Sequence, residues 1–162
     1  MNKGLVLIKS AIIFYLSLYA VLILNGCAKT TQYDDVWESS LKGCSLNCHS
    51  PDGVGKGLDK GPDMSTQDKF YSNVVGKTVG TDYPDWPAVR VGTCDSVQLI
   101  KPGDANNSLV VASLVQSVSD SLAAANSCQT AYNIHVTPEN VTDNSQAWTD
   151  LVKWINDGAP KD

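Results

Sequence analysis

Five cysteines stand in a chain of 162 residues, and their placing constrains the chain more than any other feature. Cys27 closes an apolar run, Cys44 and Cys48 stand close together with His49 directly after, and Cys94 and Cys128 are remote. In an oxidising compartment thiols are committed in pairs or to chemistry, so each group needs its own account. What precedes Cys27 sets the compartment.

Lys3 and Lys9 lead into the run Ala11 to Leu24, broken only by Ser17 and two tyrosines. A positive start followed by about a dozen apolar residues is the layout of a secretory signal. A spanning helix wants roughly 20 apolar residues, and Lys9 cuts this run short; a retained signal anchor is the alternative. Leu24-Asn25-Gly26-Cys27 resembles the bacterial lipobox, whose cysteine is lipidated and becomes the first mature residue. Asn25 departs from the usual Ala or Ser. Ala28 is not the aspartate that holds such proteins at the inner membrane, so the resemblance implies export to the cell envelope and an outer-membrane lipid anchor.

Residues 1–26 are therefore read as a lipoprotein signal peptide, 27–36 as a tether, and 37–162 as one domain with enough chain for a modest core. Once Lys3 and Lys9 leave with the leader, ten Lys and Arg face seventeen Asp and Glu, a net charge of −7. No basic cluster remains, which makes nucleic acid a poor partner.

Within the domain, Asp34 or Asp35 can cap a short helix carrying Trp37 and Leu41 on one face. Pro51 to Pro62 reads as Gly-rich loop. Ser65-Thr66-Gln67-Asp68 reads as a capping box before a helix burying Phe70, Tyr71 and Val74. Gly76 to Pro102 is loop-like, Pro102-Gly103-Asp104 a turn, and Ser108 the cap of an apolar helix with Leu109, Ala112 and Leu114. Trp148, Leu151, Val152 and Ile155 form a helical stripe. Ser145 or Asn144 starts that helix, Gly158 stops it, and Pro160 lies just beyond. No strand alternation stands out, and the expected class is mostly α, small and rich in long loops.

Cys44-Ser45-Leu46-Asn47-Cys48-His49 carries the chemistry. Covalent haem attachment needs two thiols on one face of a turn and an imidazole beside the second to bind iron; the familiar spacing is C-x-x-C-H. Here one residue is added, but helix positions three and four apart both share a face. A Cys44–Cys48 disulfide beside a bystander His49 is the rival reading. Zinc or copper would need more ligands than the sequence offers near these residues. A thiol-redox site would favour C-x-x-C within a βαβ pattern. Cys94 and Cys128, the even pair left over, are expected to form a structural disulfide, whose loop closure is worth roughly 3–4 kcal/mol in the chain-entropy model.

The order of the boxes resembles the compact cytochrome c-like domains of exported bacterial proteins. The resemblance runs from Trp37 to Pro160. It takes in Cys44 to Ser50, Asp63-Met64-Ser65, Pro102-Gly103-Asp104 with Ser108-Leu109, and Trp154-Ile155-Asn156-Asp157-Gly158-Ala159-Pro160. It implies one haem c bound through Cys44 and Cys48, with His49 as proximal iron ligand. Where the family carries Met-Pro, this chain has His135, nineteen residues before Trp154. The sixth ligand is then His135, with Met64 as runner-up; the plainer reading of His135 is a surface residue. Trp37 and Trp148 are expected where the first and last helices cross, and Tyr83 and Trp86 either wall a haem pocket or simply anchor the core.

The resulting expectation is a lipid-anchored monohaem cytochrome carrying out outer-sphere electron transfer to a redox protein partner, not an enzyme. Two alternatives stay open. One is a haem-free lipoprotein acting as a binding or structural module. The other is a haem enzyme or sensor with an open sixth site.

Overall fold

A computed structural model describes residues 31–47, 49–50, 61–86, 94–130 and 145–161. Cys27, Cys48 and His135 lie outside these residues, as do residues 1–26, read as a signal peptide, and residues 27–30 of the expected tether. No helix among the described residues is long and apolar enough to cross a membrane.

The described chain is mostly helical, in short pieces joined by loops. Helix α1 (Tyr33–Val36) runs into a π-helical turn (Trp37–Leu41) and then α2 (Lys42–Asn47). Helix α3 (Gln67–Val74) and the single turn α4 (Val79–Asp82) follow. A 3₁₀ turn (Ala105–Asn107) then leads to α5 (Leu109–Ala112), α6 (Gln116–Asn126) and α7 (Gln146–Asn156). Isolated bridges, among them Val75 with Ile100 and Thr78 with Gln98, stand in for a sheet among the described residues.

The first helix starts earlier than the sequence suggested. Gln32 occupies its N-cap without a side-chain bond, and Asp34 and Asp35 lie inside the first turn, where carboxylates favour the positive end of the helix dipole. Tyr33 and Val36, assigned to the tether, are buried in the core, so the domain begins by Tyr33. The cap of α3 also differs. Thr66, not Ser65, accepts the Lys69 N–H through its hydroxyl, while Ser65 N–H bonds the Asp63 carboxylate, so no capping box forms. Phe70 and Val74 are buried as expected, and Tyr71 is half-buried.

Helix α7 obeys its sequence signals closely. The Ser145 hydroxyl accepts the Trp148 N–H. At the other end Gly158, at φ +100°, lets its N–H reach Ile155 O and lets the Ala159 N–H reach Trp154 O, a Schellman stop. The buried face is rotated from the expected stripe, however. Leu151, Trp154 and Ile155 are fully buried, whereas Trp148 and Val152 are only half-buried. Tyr33 stacks on Trp154 at 5.2 Å where α1 meets α7, and the Ser40 hydroxyl donates to Ala147 O. Trp37 makes an edge contact with Phe70 at 5.8 Å. The ring contact at the helix crossing is thus Tyr33 on Trp154, not Trp37 on Trp148.

The Pro102 turn becomes a corner with its polar groups paired. Gly103, at φ +83°, donates its N–H to Ile155 O, tying the corner to α7. Asp104 accepts from Asn107 and Lys101, and the Lys101 ammonium beside it lowers its pKa. Ser108 sits at the N-cap of α5 but does not cap it. Its hydroxyl instead donates to Asp104 O and accepts the Lys101 N–H, both at 2.9 Å. Leu109 and Ala112 are buried on α5, and Leu114 is buried just past its end.

Cys94 and Cys128 are bonded, with Cα atoms 4.9 Å apart. Ser127, in the left-handed region at φ 53°, turns the chain out of α6 so that Cys128 meets Cys94, and Cys94 N–H reaches Gln129 O. Tyr83 and Trp86 pack edge to face at 6.4 Å. The Tyr83 hydroxyl donates to Asn73 O at 2.6 Å, and Trp86 covers Gly61 so closely that a Cβ there would lie 2.7 Å from the indole nitrogen. Both aromatics are core anchors at these contacts.

Candidate functional site

The site grows out of the way α1 passes into α2. Counted at about 100° per residue from Tyr33, a regular helix would carry its buried stripe through 37 and 40 to Cys44. The π turn at Trp37–Leu41 fits one more residue into that stretch, which rotates everything after it by roughly a residue's worth of turn. The stripe therefore continues through Ser40 and Leu41 to Ser45, which is fully buried. No local residue pattern announces a π turn, and the sequence reading did not anticipate it.

The helical register persists beyond Asn47, because the His49 N–H donates to Ser45 O at 3.1 Å. His49 is half-buried, with its Nδ1 shut off from solvent. Its accessible surface therefore belongs to other atoms, an arrangement in which Nε2 can serve a metal while Nδ1 holds the proton. The Ser45 hydroxyl is also buried and has no hydrogen-bond partner. A haem iron bound through Nε2 would suit an imidazole whose second nitrogen is shielded in this way.

Met64 comes to the same place from the other side. Its side chain is buried, and its N–H donates to His49 O at 3.4 Å. The segment is clamped to α3: Asp63 accepts Ser65 N–H and Lys69 Nζ through its carboxylate and Asn73 Nδ2 through its carbonyl. The Lys69 ammonium, followed by the hydrogen bonds from Ser65, holds the Asp63 carboxyl down at about 2. Standard bond lengths keep the Met64 and His49 Cα atoms within about 7 Å of each other. Met64 therefore lies beside His49.

The structure thus brings His49 and Met64 together and places the Cys44 backbone one turn away. Cys94 and Cys128 form their own bridge, while Cys27, Cys48 and His135 fall outside the described residues. Sequence reasoning missed Ser45 and Tyr33. Burial, with the nearby Asp68 charge second, pushes the Tyr33 phenol pKa up, and its hydroxyl donates to Gln67 O at 2.7 Å. Comparison with protein-family models, with curated proteins and with solved structures finds no match.

Proposed function

We propose that this chain is a lipid-anchored, single-haem c-type cytochrome that passes electrons by outer-sphere transfer to a redox protein partner. The observation that carries the reading is the Cys44, Cys48, His49 run at the end of α2, with His49 kept in helical register by its bond to Ser45 O. Cys44 and Cys48 would hold haem c through thioethers, and His49 would be the proximal ligand. The haem, when bound, supplies the one-electron chemistry. This chain's own residues hold the imidazole, exclude water from its Nδ1 side and anchor the turn through the clamp at Asp63.

His135 remains the proposed distal ligand, and the position of Met64 beside His49 supports that choice. Cys27 would carry the lipid and tie the domain to the membrane.

The test is maturation with a cytochrome c assembly system followed by mass spectrometry of the denatured chain. One haem should stay attached. A haem-free mass with a Cys44–Cys48 disulfide overturns the reading. On the haem protein, His135→Ala should convert a low-spin spectrum to a high-spin, ligand-binding one, while Met64→Leu should leave the spectrum near wild type. The reverse pattern would make Met64 the ligand.

A further inference from the structure

The 3₁₀ turn at Ala105–Asn107 carries one polar side chain that the fold does not use. Asp104 accepts from Lys101 and Asn107, and the Ser108 hydroxyl is held between Asp104 O and the Lys101 N–H. Asn106 stands between them, exposed, and its amide bonds to nothing among the described residues. Asn106-Asn107-Ser108 is also the N-x-S pattern of an N-linked glycosylation acceptor, which belongs on the surface of an exported chain. Asp104 places a carboxylate two residues before the asparagine, the charge that bacterial transferases read in addition and that a guanidinium can pair with. We infer that Asn106 is a glycosylation site, modified before the corner folds. The inference rests on the export part of the reading above and is independent of haem.

The order of events follows from Ser108. The transferase needs the hydroxyl two residues after the asparagine and an extended chain across its active site. In the folded corner that hydroxyl is fully enclosed and residues 105–107 are wound into a turn. The turn is tied to α7 as well, by Gly103 N–H on Ile155 O and Ala105 N–H on Asn156 Oδ1. The enzyme must therefore meet the chain as it leaves the export channel. There the Asn106 Nδ2 attacks C1 of an oligosaccharide carried on a polyprenyl diphosphate. The N–C1 bond forms, the bond from C1 to the phosphate oxygen breaks, and the amide proton leaves to base. Because the finished corner keeps Asn106 outside, the sugar displaces no buried group.

The test uses the full chain, exported by a bacterial host that carries an oligosaccharyltransferase and its lipid-linked donor. Peptide mass spectrometry should find one oligosaccharide on Asn106. It should find none on Asn140, whose Asn140-Val141-Thr142 pattern has Pro138 where the carboxylate would stand. Asn106→Gln should abolish the added mass. Purified transferase should modify the full chain after reduction and unfolding, and leave the folded chain bare. An exported, processed chain bare at Asn106 beside a modified control acceptor overturns the inference and leaves the haem reading to its own test. Equal transfer to folded and unfolded chain overturns the order of events. A chain that keeps residues 1–26 in the cell removes the export reading, and the inference of modification in the cell with it.

Discussion

The corner at Pro102 to Leu109 and the turn at Cys44 to His49 are both built around a fully buried serine, and they treat it in opposite ways. At the corner, Ser108 gives its proton to Asp104 O and takes one from Lys101 N–H, so one hydroxyl joins two stretches of backbone. At the turn, Ser45 is enclosed just as completely and joins nothing. A region whose polar groups satisfy one another is finished as a piece of architecture. A region that encloses an unpaired hydroxyl carries a cost that only a further hydrogen bond would offset.

The largest effect on this comparison should come from the bridge that closes the loop around the corner. Replacing Cys94 and Cys128 by serine should cost roughly 2–5 kcal/mol, measured as a fall in denaturation midpoint. If the midpoint holds, the corner does not depend on the bridge that encloses it.

The next effect separates the two serines directly. Ser108→Ala takes from the part-buried Lys101 N–H its Ser108 acceptor, and should cost about 1 kcal/mol. Ser45→Ala in the haem-free chain removes an unsatisfied hydroxyl and should be neutral or stabilising in the same urea titration. Equal losses would mean that Ser45 has a partner after all, and the contrast would collapse.

These two serines also show how far the sequence could be read. The turn at Pro102-Gly103-Asp104 was visible because proline and glycine restrict the backbone locally. The role of Ser108 was not, because its partners lie behind it in the chain and not in the helix it precedes. Helix α7 was visible from Ser145, Gly158 and its apolar spacing. Its buried face was not, because tryptophans at 148 and 154 offer competing faces and docking on Tyr33 decides between them. The Cys44 to His49 motif was plain as spacing. The enclosure of Ser45 depends on a π turn set by packing several residues earlier, so nothing in the motif signals it.

The smallest effect is electrostatic and lies on the Cys44 side. Asp63 is held at about 2 in the folded chain, against about 3.9 for an unperturbed aspartate. The folded state therefore binds its proton later than the unfolded state does. The stabilisation is present in full above the unfolded value and is lost as pH falls from about 4 through about 2. Because the Asp63–Lys69 pair is exposed, solvent screening keeps this contribution small. Asp63→Asn should flatten the acid limb of a stability-versus-pH curve over that window and change little at pH 7. A steep limb retained in Asp63→Asn would assign the acid sensitivity elsewhere, with Asp104 at the corner the next carboxylate to replace.

The stop of α7 has a consequence for how opening of this domain can be watched. The Trp154 indole N–H donates to Pro160 O, Tyr71 donates to Ala159 O, and Trp154 is itself sealed beneath Tyr33. Its ring proton can therefore meet deuterium only when the residues after Gly158 lift off and the first helix parts from the last. Exchange at that one indole should be a clock for the slowest opening of the domain, running at the pace of whole-domain unfolding and far behind the half-buried Trp148.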